Sequence, residues 1–172
     1  SIAGYNSVYT NTDSWSANNW YHIIATYEGQ TMKIYMNGVM EDSITYNLSP
    51  FNFSVGSLTI GDDPTNSGLW NFNGLIDEVR VWDIALSHQE IQAGISCNIA
   101  NESGLVGYWN FEEGPGSTVV LDQTSNGNNG TINGATYDTN APSQSCNLTN
   151  ANGCDSIAVL NLTINQGDTS YT

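Results

Sequence analysis

Residues 74–91 read GLIDEVRVWDIALSHQEI and join a strand pattern to a helix pattern. The first half alternates over residues 75–82, which predicts a strand that carries Asp77 on its more apolar face. A buried carboxylate without a partner would be costly. Asp77 is therefore expected to meet backbone N–H groups, Arg80 or Lys33, or a metal ion.

The second half of this stretch carries a helix-start signal. Ser87 and Glu90 have the spacing of a capping box, so one short helix is expected from Ser87 to about Gly94.

Strand patterns also precede this stretch. Residues 20–27 and 32–36 are rich in aromatic and β-branched side chains, and Asn37-Gly38 is a strong hairpin signal that leads into a third strand. Together they predict an antiparallel meander. Short strands in a chain rich in Gly, Asn and Thr favour an all-β sandwich. His22, on the first strand, is interpreted as a covered strand histidine.

Charge narrows the possible partners. The chain has 17 acidic residues and two Lys or Arg residues, a net charge of −15. No basic patch can form, which excludes nucleic acid and anionic membrane surfaces. No segment approaches the roughly 20 apolar residues of a membrane span. The chain lacks an initiator Met and a leader pattern, and we expect a piece of a longer exported, extracellular protein.

Residues 61–68, GDDPTNSG, form an acidic turn. Asp62, Asp63 and the polar residues after them offer the oxygen ligands that Ca²⁺ requires, so the sequence predicts a calcium site to which Asp77 could contribute. The alternative is a surface turn in which Asp and Asn cap their own backbone.

Three segments together resemble the laminin-G-like, concanavalin A-like jelly-roll family. They are residues 20–38, residues 74–91 and residues 105–131, the last reading LVGYWNFEEG at its start. The resemblance covers roughly residues 15–138 and extends distantly to pentraxins through the stretch that ends in Glu90-Ile91. It implies an antiparallel two-sheet jelly-roll sandwich with one short helix, incomplete at its N-terminus.

The family order differs here, because the strand near residue 105 usually opens the domain. Residues 105–138 therefore either close the first domain in a circularly permuted order or start a second copy. We favour closure, with a jelly-roll domain over residues 1–140. Residues 141–172 are then a linker and a partial Cys-containing repeat similar to those of secreted bacterial adhesins.

The resemblance also implies a function. Such domains are usually non-catalytic and bind glycans or proteins, often with calcium on one edge. Asp62 and Asp63 match the acidic loop of the pentraxin-type site, whose downstream acidic ligand is matched only by Asn71 or Asn73. Trp15, Trp70 and Asn71 are the candidate ligand-binding residues, and the two indole rings are candidate platforms for sugar rings.

We therefore predict no enzyme, but a carbohydrate- or protein-binding adhesion module of a large bacterial surface protein, with a glycan or a cell-surface protein as partner. A purely structural spacer is the alternative. A glycoside hydrolase is a third reading, but no strand carries its alternating acidic residues. Of three cysteines, Cys97 and Cys146 are expected to form a disulfide that ties the tail to the jelly roll, leaving Cys154 to pair outside this chain.

Overall fold

The computed structural model describes residues 7–11, 15–46, 57–62, 71–92 and 103–141, and the backbone alone of residues 93–94, 147–150, 153–155 and 163–164. Within these ranges all strand pairs are antiparallel, and the helical content is one short helix. The predicted all-β class is confirmed.

The first sheet is the predicted meander. Its strands are β1 (Ile23–Glu28), β2 (Thr31–Met36) and β3 (Val39–Thr45), and β2 lies in the centre. Asn37 and Gly38 both have positive φ, 50° and 77°, as a tight hairpin turn requires. The turn is tied to the chain before β1, because the Asn37 N–H donates to the His22 carbonyl over 2.8 Å.

The single strand predicted over residues 75–82 is interrupted. The structure has β4 (Gly74–Leu75) and β5 (Val79–Trp82), separated by an irregular link. Glu78, in this link, has a φ of +56°. A regular strand would point Asp77 and Glu78 to opposite faces, but the left-handed backbone at Glu78 lets both carboxylates be buried, at 4% and 6% exposure.

The predicted helix is present as α1 (His88–Gly94). The Ser87 N–H donates to Glu90 Oε2 over 2.7 Å, and the Glu90 N–H donates to Ser87 Oγ over 3.3 Å. This reciprocal pair is the predicted capping box. On its inner side the helix buries Ile91 completely.

The next strand is β6 (Leu105–Trp109), which pairs with β5 in a register that opposes Arg80 and Tyr108. The short strands β7 (Val119–Val120) and β8 (Gly130–Thr131) then form a hairpin. The tail has β9 (Asn147–Asn150), β10 (Gly153–Asp155) and β11 (Thr163–Ile164). β9 pairs with β10, and β11 pairs with β4.

Buried apolar side chains come from both halves of the described chain. They are Tyr35, Ile91, Leu105, Tyr108, Trp109 and Val120. Residues 58–60 are not part of a strand. In the described part of the chain, the single helix falls well short of the length and apolarity that crossing a bilayer demands. The domain limits at residues 140 and 141 stay a prediction.

Candidate functional site

Two of the predicted site residues, Asp62 and Asn71, lie beside each other. The Phe72 N–H donates to the Gly61 carbonyl over 2.8 Å, which places Asn71 beside Asp62. Both side chains are exposed. The Asp62 carbonyl accepts from Thr59 Oγ1 over 2.9 Å, so the chain before the turn is also fixed. This edge offers one carboxylate and one amide oxygen to a cation.

Four predicted residues fall outside the described ranges, namely Asp63, Trp70, Cys97 and Cys146. Calcium takes six to eight oxygen ligands, more than Asp62 and Asn71 supply. Within the described residues no group of three or more His, Cys, Asp or Glu side chains is arranged to hold a metal ion. The calcium site and the disulfide therefore stay predictions.

Asp77, the third predicted metal ligand, is a buried carboxylate. Its Oδ1 accepts the Glu78 N–H over 3.0 Å, and its Oδ2 has no hydrogen-bond partner among the described residues. Burial, followed by the negative charge of Glu78, raises the pKa of Asp77 to about 7. Of the partners expected for Asp77, a backbone N–H is present, whereas Arg80 binds Glu78 instead.

Glu78, Arg80 and Tyr108 form a buried network between β5 and β6. Arg80 Nη2 lies 2.5 Å from Glu78 Oε2, and the Tyr108 hydroxyl donates to the same carboxylate over 2.8 Å. The guanidinium also lies over the Tyr108 ring, 4.7 Å from its centroid. Burial raises the pKa of Glu78, and the charge of Arg80 opposes that rise. The network ties the two strands together.

His22 is buried and uncharged at neutral pH. Burial, together with the positive charge of Arg80, lowers the pKa of its imidazole to about 4. Its Nδ1 has no hydrogen-bond partner among the described side chains and backbone. His22 is therefore covered, as interpreted from the sequence, but it lies just before β1 and not within the strand.

Trp15 is held by its neighbours. Its ring meets Tyr21 edge-to-face with centroids 4.9 Å apart, and the Tyr21 hydroxyl accepts the Ser16 N–H over 3.0 Å. The indole is half-buried. Part of the surface expected to stack on a sugar is therefore used inside the protein.

Asp122 organises the Asn-rich loop that follows β7. Its carboxylate accepts the backbone N–H groups of Tyr108, Thr124 and Asn128 and the Thr124 hydroxyl, at 2.9–3.0 Å. Backbone N–H donors lower the pKa of Asp122 even though its burial opposes this. The amides of Asn126 and Asn128 then donate to a β6 carbonyl. Asp122 is thus a structural residue.

A groove of about 450 Å³ lies between the first sheet and the start of α1. Its sheet wall consists of Thr26, Glu28, Thr31, Lys33 and Tyr35. These side chains share a face, because the register opposes Thr26 to Lys33 and Glu28 to Thr31. The alternation of polar residues at 26, 28, 31 and 33 was the sequence signal for this wall.

The second wall of the groove comes from residues around the helix start. It consists of Ala85, Leu86, Ser87, His88 and Glu90. The His88 ring stacks on Tyr35 with centroids 6.0 Å apart and planes 29° apart. Sequence reasoning missed the groove because its two walls are about 50 residues apart in the chain.

The groove contains opposite charges that do not neutralise each other. In the described ranges neither the Glu28 carboxylate nor the Lys33 ammonium forms an ion pair, although both line the groove. Glu90 is partly engaged, since its Oε2 accepts the Ser87 N–H. Lys33 and Arg80 are the two Lys or Arg residues of the sequence, and Arg80 is bound to Glu78. Lys33 is therefore the cation that the chain presents to a ligand.

Antiparallel sheets with one capped helix define an all-β domain. The chain belongs to the concanavalin A-like lectin/glucanases superfamily, whose laminin-G-like model matches residues 2–92. It is similar to mouse pappalysin-1, with 33% identity over 76 residues that cover 42% of this chain. The match spans 4% of pappalysin-1. No solved structure matches the chain.

Proposed function

We propose that this chain is a non-catalytic binding module of a larger extracellular protein, and that its ligand is a glycan or a protein surface. Domains of this family are usually extracellular binding modules. The observation that carries the proposal is the groove, where a carboxylate and an ammonium group have no ion-pair partner among the described residues. Small-ligand sites have volumes of roughly 300–1,000 Å³, a range that includes this groove. An adhesion role in a bacterial surface protein is part of the proposal.

The positions of the acidic residues support a non-catalytic role. A glycosidase needs two carboxylic groups facing each other across a sugar. Glu78 is bound by Arg80 and Tyr108, and the Glu113 carboxylate accepts the Leu121 N–H and the Tyr137 hydroxyl. These acids stabilise the fold. We expect the full chain not to hydrolyse β-glucans. Hydrolysis by the wild-type chain that disappears in Asp77→Asn would contradict this expectation.

We also propose that residues 105–138 close the domain instead of starting another. The β5–β6 ladder and the hydrogen bond between Tyr108 and Glu78 support this arrangement, because β5 lies inside the family match and β6 lies beyond it. A double-mutant cycle with Glu78→Gln and Tyr108→Phe in the full chain tests it. A coupling energy near zero would contradict it.

A glycan array probed with the full chain tests the binding function. We expect binding to at least one group of related glycans, or capture of a surface protein when the array is silent. A chain that binds neither glycans nor surface proteins would contradict the proposal and favour the spacer role.

A further inference from the structure

We infer that the groove between the first sheet and α1 recognises a neutral, hydroxyl-rich saccharide without calcium, through Glu28 and Lys33 acting as a pair. The inference rests on the proposed binding function and adds the place and the chemistry of recognition. The groove is a different place from the edge of Asp62 and Asn71, to which the sequence assigned both metal and ligand.

The spacing of the charged pair is the first part of the argument. Glu28 opposes Thr31, and Lys33 lies two residues further along β2 on the same face. The two charged residues are thus diagonal neighbours, about 7–8 Å apart at their Cα atoms. They nevertheless form no ion pair with each other. Both side chains line the groove, so a ligand bound there can contact both.

The chemistry of the pair selects the ligand class. An ammonium group only donates hydrogen bonds and a carboxylate only accepts them, whereas a hydroxyl group does both. Two neighbouring hydroxyls of one sugar can therefore accept from Lys33 and donate to Glu28 at once. Hydrogen bonds to charged groups are roughly twice as strong as those between neutral groups.

Charged ligands fit the groove less well. An anion would satisfy Lys33 but would meet Glu28, Glu90 and a chain of net charge −15. A cation would be attracted by Glu28, Glu90 and the net charge, but it would repel Lys33 and give that ammonium group no acceptor. A neutral polyol leaves neither charge without a partner.

The remaining surface of the groove suits a sugar ring. Thr26 adds a hydroxyl group, and Ser87 adds one that can still donate, since its oxygen accepts the Glu90 N–H. The Thr31 hydroxyl is shared with that of Thr45 over 2.9 Å. His88 adds an aromatic ring that stacks on Tyr35. Sugar rings have apolar C–H faces that pack on aromatic rings while their hydroxyls reach polar neighbours. The groove offers both kinds of contact within one cavity.

The test measures binding of the full chain to maltose, cellobiose, lactose and N,N′-diacetylchitobiose, with glucuronate and glucosamine as charged probes. We expect at least one neutral disaccharide to bind equally well with Ca²⁺ and with a chelator. Glu28→Gln and Lys33→Met should each weaken that binding at least tenfold. His88→Ala should weaken it less. Matched controls are Glu112→Gln and Gln89→Ala, which change exposed residues outside the groove.

Lys33 gives an independent readout, since it is the only lysine in the sequence. The bound disaccharide should slow its reaction with an amine-reactive reagent, measured by peptide mass spectrometry. Binding that persists in Glu28→Gln and Lys33→Met, requires calcium, or is restricted to glucuronate would overturn the groove assignment while leaving the binding function intact. Failure of all four disaccharides would also overturn it, whereas a silent glycan and protein screen would remove the binding function itself.

Discussion

Buried carboxylates show how much a single side chain can depend on its immediate surroundings. Asp77 and Asp122 are both almost fully buried, yet burial raises the pKa of Asp77 whereas backbone donors lower the pKa of Asp122. Asp122 has four donors, and Asp77 has one. Hydrogen-bond donors therefore decide the sign of the pKa shift, and the two residues should respond oppositely to pH.

For Asp77 we predict a pH-dependent gain in stability on substitution. Its pKa is about 7 in the folded state and near 3.8 when unfolded, so its stabilising contribution is present below about pH 4 and is lost as pH rises through 7. The free energy of unfolding of Asp77→Asn minus that of wild type should therefore be about 2–4 kcal/mol larger at pH 8 than at pH 4. Urea unfolding at both pH values measures this, with Asp138→Asn as the exposed control. Equal differences at both pH values would refute the explanation.

For Asp122 we predict the opposite behaviour. Asp122→Ala leaves three backbone N–H groups and one hydroxyl without an acceptor and should lower the free energy of unfolding by about 2–4 kcal/mol at pH 7. The loss should shrink as pH falls and the wild-type carboxylate becomes protonated. Chemical denaturation of the variant and of Asp138→Ala at pH 7 and pH 3 measures it; a loss that is the same at both values counts against the role given to the carboxylate.

Elements of the fold differ in how far local sequence defines them. The Asn37-Gly38 turn and the capping box depend on residues a few positions apart, and both were predicted correctly. The break between β4 and β5 was missed, because Glu78 has a left-handed conformation in which its carboxylate binds Tyr108, a residue of β6 that is 30 positions away. The same holds for the site. The acidic turn that contains Asp62 is visible in the local sequence, whereas the placement of Asn71 beside it and the groove both need tertiary packing.

The helix start gives a prediction at this scale. Ser87→Ala removes the hydroxyl that accepts the Glu90 N–H and should destabilise the chain by about 1 kcal/mol. Ser87→Asp, which keeps an acceptor at the N-cap, should restore most of that loss. Thermal unfolding of both variants beside Gln89→Ala measures the effect. If Ser87→Asp is no better than Ser87→Ala, the loss does not come from the cap.

The whole molecule carries a charge of −15, so any cation should stabilise it to some degree by screening. A specific calcium site must exceed this general effect. We predict that Ca²⁺ raises the unfolding midpoint beyond Na⁺ at matched ionic strength, by about 2.7 kcal/mol of free energy at a hundredfold excess over its dissociation constant.

Calorimetric or spectroscopic melting of the full chain measures the calcium effect. The double variant Asp62→Asn with Asp63→Asn should abolish the calcium-specific part and keep the sodium response. A midpoint that depends on ionic strength alone would leave the acidic turn as a surface turn.

The scarcity of basic residues has one more consequence, which concerns cleavage by proteases. Proteases of the trypsin type cut after Lys or Arg in a segment that they can hold extended. This chain offers them two positions, Lys33 within β2 and Arg80 within β5, and both lie in hydrogen-bonded ladders. Cleavage must therefore wait until a ladder opens. The composition that led us to expect no nucleic-acid partner therefore also leaves trypsin-type proteases with few and protected cleavage sites.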